Sequence, residues 1–146
     1  MDSNFEDLRA AQSALVELGT VVGTCHFVRG DLRALPLRQP FDVVLSNEVL
    51  HLMNKTESRQ ALVRMRELTK QGGVDVISGY VVRPGTATTR NNARCLAPGE
   101  LRADYDHPGW TILHYGEDYK PNQYIGSERR EIISSIARIV AQRNWQ

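Results

Sequence analysis

The chain has 146 residues, of which 41% are hydrophobic and 24% charged, and its net charge is +1, so its composition excludes a disordered chain. The longest apolar runs are far shorter than the roughly 18 residues of a membrane span, and the N-terminus lacks the apolar segment of a signal peptide. Basic residues alternate with acids and form no stripe. We therefore predict one domain over residues 1–146, with no nucleic-acid partner and no membrane partner. The spacing of the two cysteines does not suggest a disulfide framework, so we predict a location in the reducing cytoplasm.

The first predicted element is a helix. Ser3 and Glu6 have the S-x-x-E spacing of a capping box, apolar residues then recur at helical spacing, and Gly19 ends the helix. A short strand is predicted at residues 24–28, and a loop with two prolines follows at 32–40.

The middle of the chain predicts a strand, a helix and a second strand. Residues 41–46 (FDVVLS) form a compact apolar run typical of a buried strand. Asn54 and Glu57 form a second capping box, for a helix of about 15 residues that the glycines at 72–73 end. Residues 74–78 are the next short strand, so the segment predicts a βαβ unit with parallel strands. The residues expected to face the core are Ala61, Leu62, Met65 and Leu68.

The last third of the chain is less regular. Residues 79–92 are polar and predict a mobile surface loop, 98–105 a short helix and 110–115 a strand. Residues 116–127 predict a loop or a hairpin connection. Residues 128–141 conflict, because their apolar positions have helical spacing whereas their isoleucine and valine content favours a strand.

Three stretches together resemble class I S-adenosylmethionine-dependent methyltransferases. Residues 28–36 (VRGDLRALP) are similar to the motif after that family's third strand, 41–52 (FDVVLSNEVLHL) to its fourth strand, and 68–77 (LTKQGGVDVI) to the segment before its fifth. Each match alone is weak, but their order and spacing are specific for the superfamily. The resemblance implies an α/β, Rossmann-like, mostly parallel sheet, and it favours a strand at 128–141.

The C-terminal third resembles the tellurite-resistance, TehB-like branch of these enzymes. The similar stretches are residues 96–102, 110–115 and 137–141. The resemblance implies S-adenosylmethionine as the methyl donor and a small-molecule substrate. It implies cofactor contacts from Asp31 to the adenine amino group, Leu32 to the ring, Ser46 and Asn47 to the methionine part, and Asp2 to the ribose.

For the substrate, His51 follows an apolar pair near the ligand edge. The resemblance implies Arg90 and Arg102 as well, because arginines in this region suit small oxyanions, while a solvated face is the plainer interpretation of these two residues. Plainer interpretations stay open: Asp31 is also a common turn residue, Ser46 and Asn47 suit a helix cap, and His51 suits a satisfied, partly buried histidine. The histidines and cysteines have no metal-ligand spacing, so we predict no metal.

One motif of the family has no counterpart in this sequence. The family's first strand ends in an acidic, glycine-rich turn, E/D-x-G-x-G, which lets the backbone approach the donor. We therefore expect an N-terminally truncated version of the fold that binds S-adenosylmethionine weakly or not at all. The alternative is a non-catalytic remnant that binds a ligand or a protein and is completed by a second chain, for example as a homodimer.

Overall fold

The computed structural model describes residues 5–18, 26, 28, 30–34, 37–82, 95–119, 123–124, 131–132 and 134–145. The chain divides into two compact units, residues 1–37 and 38–146. The first contains helix α1 (Phe5–Leu18) and a 3-10 turn (Leu32–Ala34). The predicted first helix is thus confirmed, whereas its capping residue Ser3 lies outside the described residues. The predicted strand at 24–28 is described only at His26 and Val28, which belong to neither helix nor strand.

The elements of the second unit are β1 (Phe41–Asn47), α2 (Lys55–Leu68), β2 (Thr69–Val82), α3 (Glu100–Ala103), β3 (Trp110–Tyr119), β4 (Gln123–Tyr124), β5 (Glu131–Ile132) and β6 (Ser134–Arg143), with a 3-10 turn at Leu50–Leu52. Four of the strands form a sheet in the order β1-β2-β6-β3, and β4 and β5 form a small second sheet. Strands β1 and β2 are parallel, and the pairs β2–β6 and β3–β6 are antiparallel. The α/β fold class is confirmed, with a mixed sheet rather than a mostly parallel one in the described part. No described helix is long and apolar enough to cross a membrane.

The predicted βαβ unit is confirmed. Asn54 caps α2 with both bonds of a capping box: its side chain accepts from the Glu57 N–H and its own N–H donates to the Glu57 carboxylate, each at 3.0 Å. The helix buries the four residues expected to face the core, each at most 5% exposed: Ala61, Leu62, Met65 and Leu68. Residues 43–47 of β1 then pair in parallel with residues 74–78 of β2.

The predicted end of α2 at the glycine pair is wrong, since the helix ends at Leu68 and β2 runs through both glycines. Two side chains bind the carbonyl groups at the helix end. The Arg143 guanidinium donates to the carbonyl oxygens of Arg66 at 3.3 Å and Thr69 at 2.5 Å, and the Thr69 hydroxyl donates to the Met65 carbonyl at 3.1 Å. Gly72 has a φ of 75°, in the left-handed region that favours glycine, and a Cβ there would also lie 2.5 Å from the Trp145 ring.

The prediction that β1 is buried is also wrong. Phe41, Val43 and Leu45 are 38%, 57% and 69% exposed. These three side chains point to the same face, because side chains alternate between the faces of a sheet. They are exposed there because β1 is the terminal strand of the described order and has a neighbour on one side only. We call the face that carries Val43, Leu45, Asn47, Ser78 and Tyr80 the open face.

The other face, which we call the helix face, carries the core. Its buried residues are Ile77, Val81, Ala137, Ile139 and Ala141, each at most 1% exposed. A Cβ at Gly79, on the same face, would meet the side chains of Leu96 and Leu50. Burial of apolar side chains on the helix face therefore stabilises the sheet.

The C-terminal elements settle the conflict between helix and strand. Residues 134–141 of the predicted 128–141 segment belong to strand β6, so the strand is confirmed there; β6 pairs on both sides and buries Ile139. Strand β2 extends to Val82, so the predicted loop at 79–92 is wrong for its first four residues, and residues 83–92 lie outside the described ones. Strand β3 includes residues 116–119, so the predicted loop or hairpin connection at 116–127 is wrong for those four residues. Of the helix predicted at 98–105, only the residues of α3 are helical.

Candidate functional site

A hydrogen-bonded network centred on Ser78 lies at the carboxyl end of β1, where the parallel pairing with β2 ends. Asn47 and Ser78 are register partners, and the Ser78 hydroxyl donates to Asn47 Oδ1 at 2.8 Å. The next residue, Glu48, donates its N–H to the Ser78 hydroxyl at 3.1 Å and to the Ser78 carbonyl at 3.2 Å. In α/β sheets, ligands bind beyond this end of parallel strands.

Glu48 has an unusual backbone conformation for its residue type. Its φ is 52°, in the left-handed region that favours glycine, and its carboxylate accepts from the Tyr80 hydroxyl at 3.0 Å. In a continuous strand, residues 47 and 48 would point to opposite faces. The left-handed turn instead brings both side chains to the open face, where Ser78 and Tyr80 lie two residues apart on β2.

His51 completes this group from the 3-10 turn that follows β1. Its ring meets the Tyr80 ring edge to face, with centroids 4.6 Å apart, and its Nδ1 is buried without a hydrogen-bond partner among the described residues. Burial lowers the pKa of His51 although Glu48 acts to raise it, so the imidazole is neutral at pH 7. Burial and the bond to Glu48 raise the pKa of Tyr80. We call Asn47, Glu48, His51, Ser78 and Tyr80 the edge cluster.

The edge cluster presents a negative charge and hydrogen-bonding groups to solvent. Asn47 is exposed, Glu48 is half-buried, and only one carboxylate oxygen of Glu48 is bonded to Tyr80. Within the described ranges, no lysine or arginine pairs with Glu48; Arg138, the register partner of Ser78, instead bonds to Asp118. The arrangement therefore suits a ligand that donates hydrogen bonds or carries positive charge.

Ser46 and Asn47, both predicted to bind the cofactor, lie on opposite faces of the sheet. Ser46 is 7% exposed on the helix face, where its hydroxyl has no hydrogen-bond partner in the described part of the chain, whereas Asn47 lies on the open face. Asp31 and Leu32 are half-buried in the first unit, where the Asp31 carbonyl accepts from the Ala34 N–H at 3.0 Å. Asp2 lies outside the described residues.

Of the residues predicted to bind the substrate, only His51 lies in the edge cluster. The Arg102 guanidinium is 5.9 Å from the centroid of the Tyr115 ring. Tyr115 pairs with Ile139 on β6 and Tyr80 pairs with Ile136, so these two tyrosines lie on opposite faces of the sheet. Arg102 is therefore not brought to the edge cluster, and Arg90 lies outside the described residues.

Sequence reasoning missed Glu48, Ser78 and Tyr80. A period-two pattern at the end of β2 was the available signal, because Ser78 and Tyr80 alternate with glycine and valine after the apolar run. The positive φ of Glu48 has no such signal, since glutamate is not a residue type that marks a left-handed turn.

A second polar group on β2 is fully enclosed. Asp75 is 0% exposed on the helix face, accepts from the Tyr105 hydroxyl at 2.7 Å and is also hydrogen-bonded to the Thr69 hydroxyl. Burial raises the pKa of Asp75, against the effect of these two bonds. We call Thr69, Asp75 and Tyr105 the buried cluster; all three are shut off from solvent, so its role is structural.

Two other features do not form a site. A groove on the outer side of α2 is lined by charged residues, of which Lys55 pairs with Glu100 and Arg64 with Glu67. Such paired charges are typical of a solvated helix face. No group of three metal-ligating side chains occurs in the part of the chain that the structure describes, and the absence of a metal stays a prediction.

Comparisons with known proteins agree with this fold. A family model described as a methyltransferase domain matches residues 1–73. The chain is similar to the structure of TehB from Haemophilus influenzae, with a TM-score of 0.77 and 18% identity over 97% of this chain and 48% of that one. It is also similar to a putative methyltransferase from Bacillus halodurans, with a TM-score of 0.74 and 11% identity over 99% and 81% of the two chains.

A third similar structure is magnesium protoporphyrin IX methyltransferase from Synechocystis with bound S-adenosylmethionine, at a TM-score of 0.59 and 17% identity over 94% of this chain and 56% of that one. No curated protein matches the sequence. These likenesses confirm the Rossmann-like fold that the three motifs predicted. The chain spans about half the length of TehB.

Proposed function

This chain belongs to the methyltransferase domain family, and on that premise we propose that it transfers a methyl group from S-adenosylmethionine to a small molecule. The observation that carries the proposal is the family match over residues 1–73, which includes both the Asp31 motif and the end of β1. Further support comes from the polar network at the carboxyl end of β1, because ligands bind beyond this end of parallel strands in α/β sheets.

The resemblance supplies the residues proposed to hold the donor. Asp31 and Leu32 would contact the adenine, and Asn47 the methionine part. Asn47 suits this role because its amide is exposed at the strand end, whereas the buried hydroxyl of Ser46 does not reach the same face. S-adenosylmethionine supplies an electrophilic methyl group. The chain's contribution is to bind the donor and orient the acceptor, since positioning carries most of the catalysis in such a transfer.

We propose that the chain alone binds the donor weakly. No E/D-x-G-x-G turn occurs in the sequence, and the hydrogen bonds which that turn makes in the family are worth roughly 1–3 kcal/mol each. Several such losses would move a micromolar dissociation constant to about millimolar, since each 1.4 kcal/mol is about tenfold.

Titration with S-adenosylhomocysteine, monitored by NMR at millimolar concentrations, tests this proposal. We expect weak, saturable binding that Asp31→Ala abolishes and that Glu67→Gln, at an exposed acid of α2, leaves unchanged. Transfer of a labelled methyl group to a panel of small molecules would establish the activity. Binding that is absent, or that ignores the Asp31 substitution, would contradict the proposed donor site.

A second candidate function is a non-catalytic module completed by a second chain. The specific observation in its favour is the exposed apolar row on β1, because exposed strand edges and apolar patches mark interaction surfaces. Light scattering separates the candidates in part. A species of 16.5 kDa at high concentration would contradict pairing between copies, whereas twice that mass would support it.

A further inference from the structure

We propose that the edge cluster is the subsite for an amino group on the methyl acceptor, with the Glu48 carboxylate as its binding group. This inference rests on the proposed function and adds the chemical class of the acceptor. The residues that carry it are Glu48, Tyr80 and Asn47, which the register and the left-handed turn bring to one face of the sheet.

The backbone at Glu48 points to a ligand site. Its φ of 52° is an unfavourable, left-handed conformation for a residue that has a side chain. Strain of this kind is concentrated at ligand sites, where it fixes the direction of a side chain.

The charge balance selects the class of ligand. The Glu48 carboxylate has no cationic partner within the described ranges, and the neighbouring His51 ring is neutral at pH 7. A negative charge in a half-buried position repels carboxylates and oxyanions and attracts an ammonium group. The Tyr80 ring lies beside the carboxylate that its hydroxyl binds, and the face of a tyrosine ring attracts cations.

Tyr80 acts as a positioning residue in this scheme. Its hydroxyl holds one oxygen of the Glu48 carboxylate at 3.0 Å and leaves the other oxygen for the ligand. Ser78 does the same for Asn47, since it donates to the amide oxygen and leaves the amide N–H groups available. The cluster therefore presents an acceptor and a donor side by side, which suits an amine with a neighbouring polar group.

The test uses two probes of similar shape and opposite charge, phenethylamine and 3-phenylpropionate, titrated into the full chain by NMR. We expect the wild-type chain to bind the amine about tenfold more tightly than the carboxylate. Glu48→Gln should remove that preference, while Glu67→Gln, which removes an exposed acid of α2, should preserve it. Equal binding of the two probes by the wild-type chain, or a preference that survives Glu48→Gln, would overturn the proposal.

Tyr80→Phe provides a second variant. It leaves the charge of Glu48 in place but frees the carboxylate, so we expect a loss of amine affinity of about three- to tenfold with the preference for the amine retained. Unchanged amine affinity would exclude the positioning role. Thermal melts of each variant identify any loss of binding that comes from unfolding.

The donor also carries an amino group, and a further arm separates it from the acceptor. S-adenosylhomocysteine has that group, whereas 5′-methylthioadenosine lacks it. If Glu48→Gln weakens S-adenosylhomocysteine and leaves 5′-methylthioadenosine and phenethylamine unchanged, Glu48 belongs to the donor site and the proposal is overturned. If phenethylamine binding depends on Glu48 while S-adenosylhomocysteine does not bind at all, the subsite stands and the proposed methyl transfer fails.

Discussion

Strand β2 carries two polar clusters built from the same kinds of side chain. The buried cluster joins an acid, a tyrosine and a threonine around Asp75, and the edge cluster joins an acid, a tyrosine and a serine around Glu48. Asp75 is 0% exposed on the helix face, whereas Glu48 is half-buried at the strand end on the open face. Two clusters with nearly the same side-chain types therefore differ in exposure: one is closed to solvent and the other is open to it.

The difference lies in which hydrogen bonds are complete. In the buried cluster both oxygens of Asp75 are bonded to hydroxyl groups, so no ligand has a place there. In the edge cluster, Glu48 keeps one oxygen available and Nδ1 of His51 has no partner in the described part of the chain. Buried polar groups that are fully bonded stabilise a fold, while incomplete networks at a strand end are available for binding.

Four measurements test this contrast between the buried cluster and the edge cluster.

The largest effect is expected from Asp75→Ala. The substitution leaves the buried hydroxyl of Tyr105 without its acceptor and removes one of the two bonds of the Thr69 hydroxyl, so we expect the free energy of unfolding in urea to fall by about 2–4 kcal/mol. Asp118→Ala, at an exposed ion pair on β3, should change it by less than about 0.5 kcal/mol. A similar, small effect for both would mean that the buried cluster does not stabilise the fold.

The two tyrosines provide a matched pair. Tyr105→Phe removes a bond to a fully buried carboxylate and should lower the free energy of unfolding by about 1.5–3 kcal/mol. Tyr80→Phe should lower it by less than about 1 kcal/mol, because water can replace the hydroxyl at half-buried Glu48. If urea denaturation gives equal losses of unfolding free energy for the two variants, the two clusters contribute equally to stability and the contrast is wrong.

The strain at Glu48 is measured by comparing glycine with alanine at that position. Both substitutions remove the carboxylate, but glycine adopts a φ of 52° without steric conflict. We therefore expect Glu48→Gly to be about 1 kcal/mol more stable than Glu48→Ala. An alanine variant that is as stable as the glycine variant would show that this conformation holds no strain.

The smallest effect is expected from the titration of His51. Its folded pKa lies below its ordinary value, so the unfolded chain binds the proton first as the pH falls. The stabilisation from neutral His51 is thus complete above about pH 6.5 and is lost as the pH falls through the folded pKa. The groups of the edge cluster that face His51 are Glu48 and Tyr80, of which the carboxylate opposes the shift.

This loss is checked by urea denaturation between pH 5 and 8. His51→Phe keeps a ring against Tyr80 and should flatten the pH dependence, while His114→Phe, on the exposed part of β3, should leave it unchanged. An NMR titration that places the pKa of His51 at or above its ordinary value would contradict the prediction.

Local chemistry determined much of this protein. The capping pair Asn54 and Glu57 determined where α2 begins, and the spacing of the apolar residues in α2 determined which side of the helix is buried. The apolar run at 41–46 predicted a strand parallel to the one at 74–78. These features depend on residues close together in the chain, so the sequence alone predicted them. The three motifs predicted the methyltransferase family in the same way, because their order along the chain is itself a sequence property.

Only the tertiary structure decided the rest. Whether residues 134–141 form a helix or a strand depended on pairing with β2 and β3, and the end of α2 depended on Arg143, more than 70 residues away. The exposure of β1 and the meeting of Glu48 with Tyr80 depend on which strands are neighbours and on one left-handed residue. Contacts between distant residues override local preference, because burial and hydrogen bonding in the folded state outweigh the few tenths of a kcal/mol to about 1 kcal/mol of intrinsic propensity.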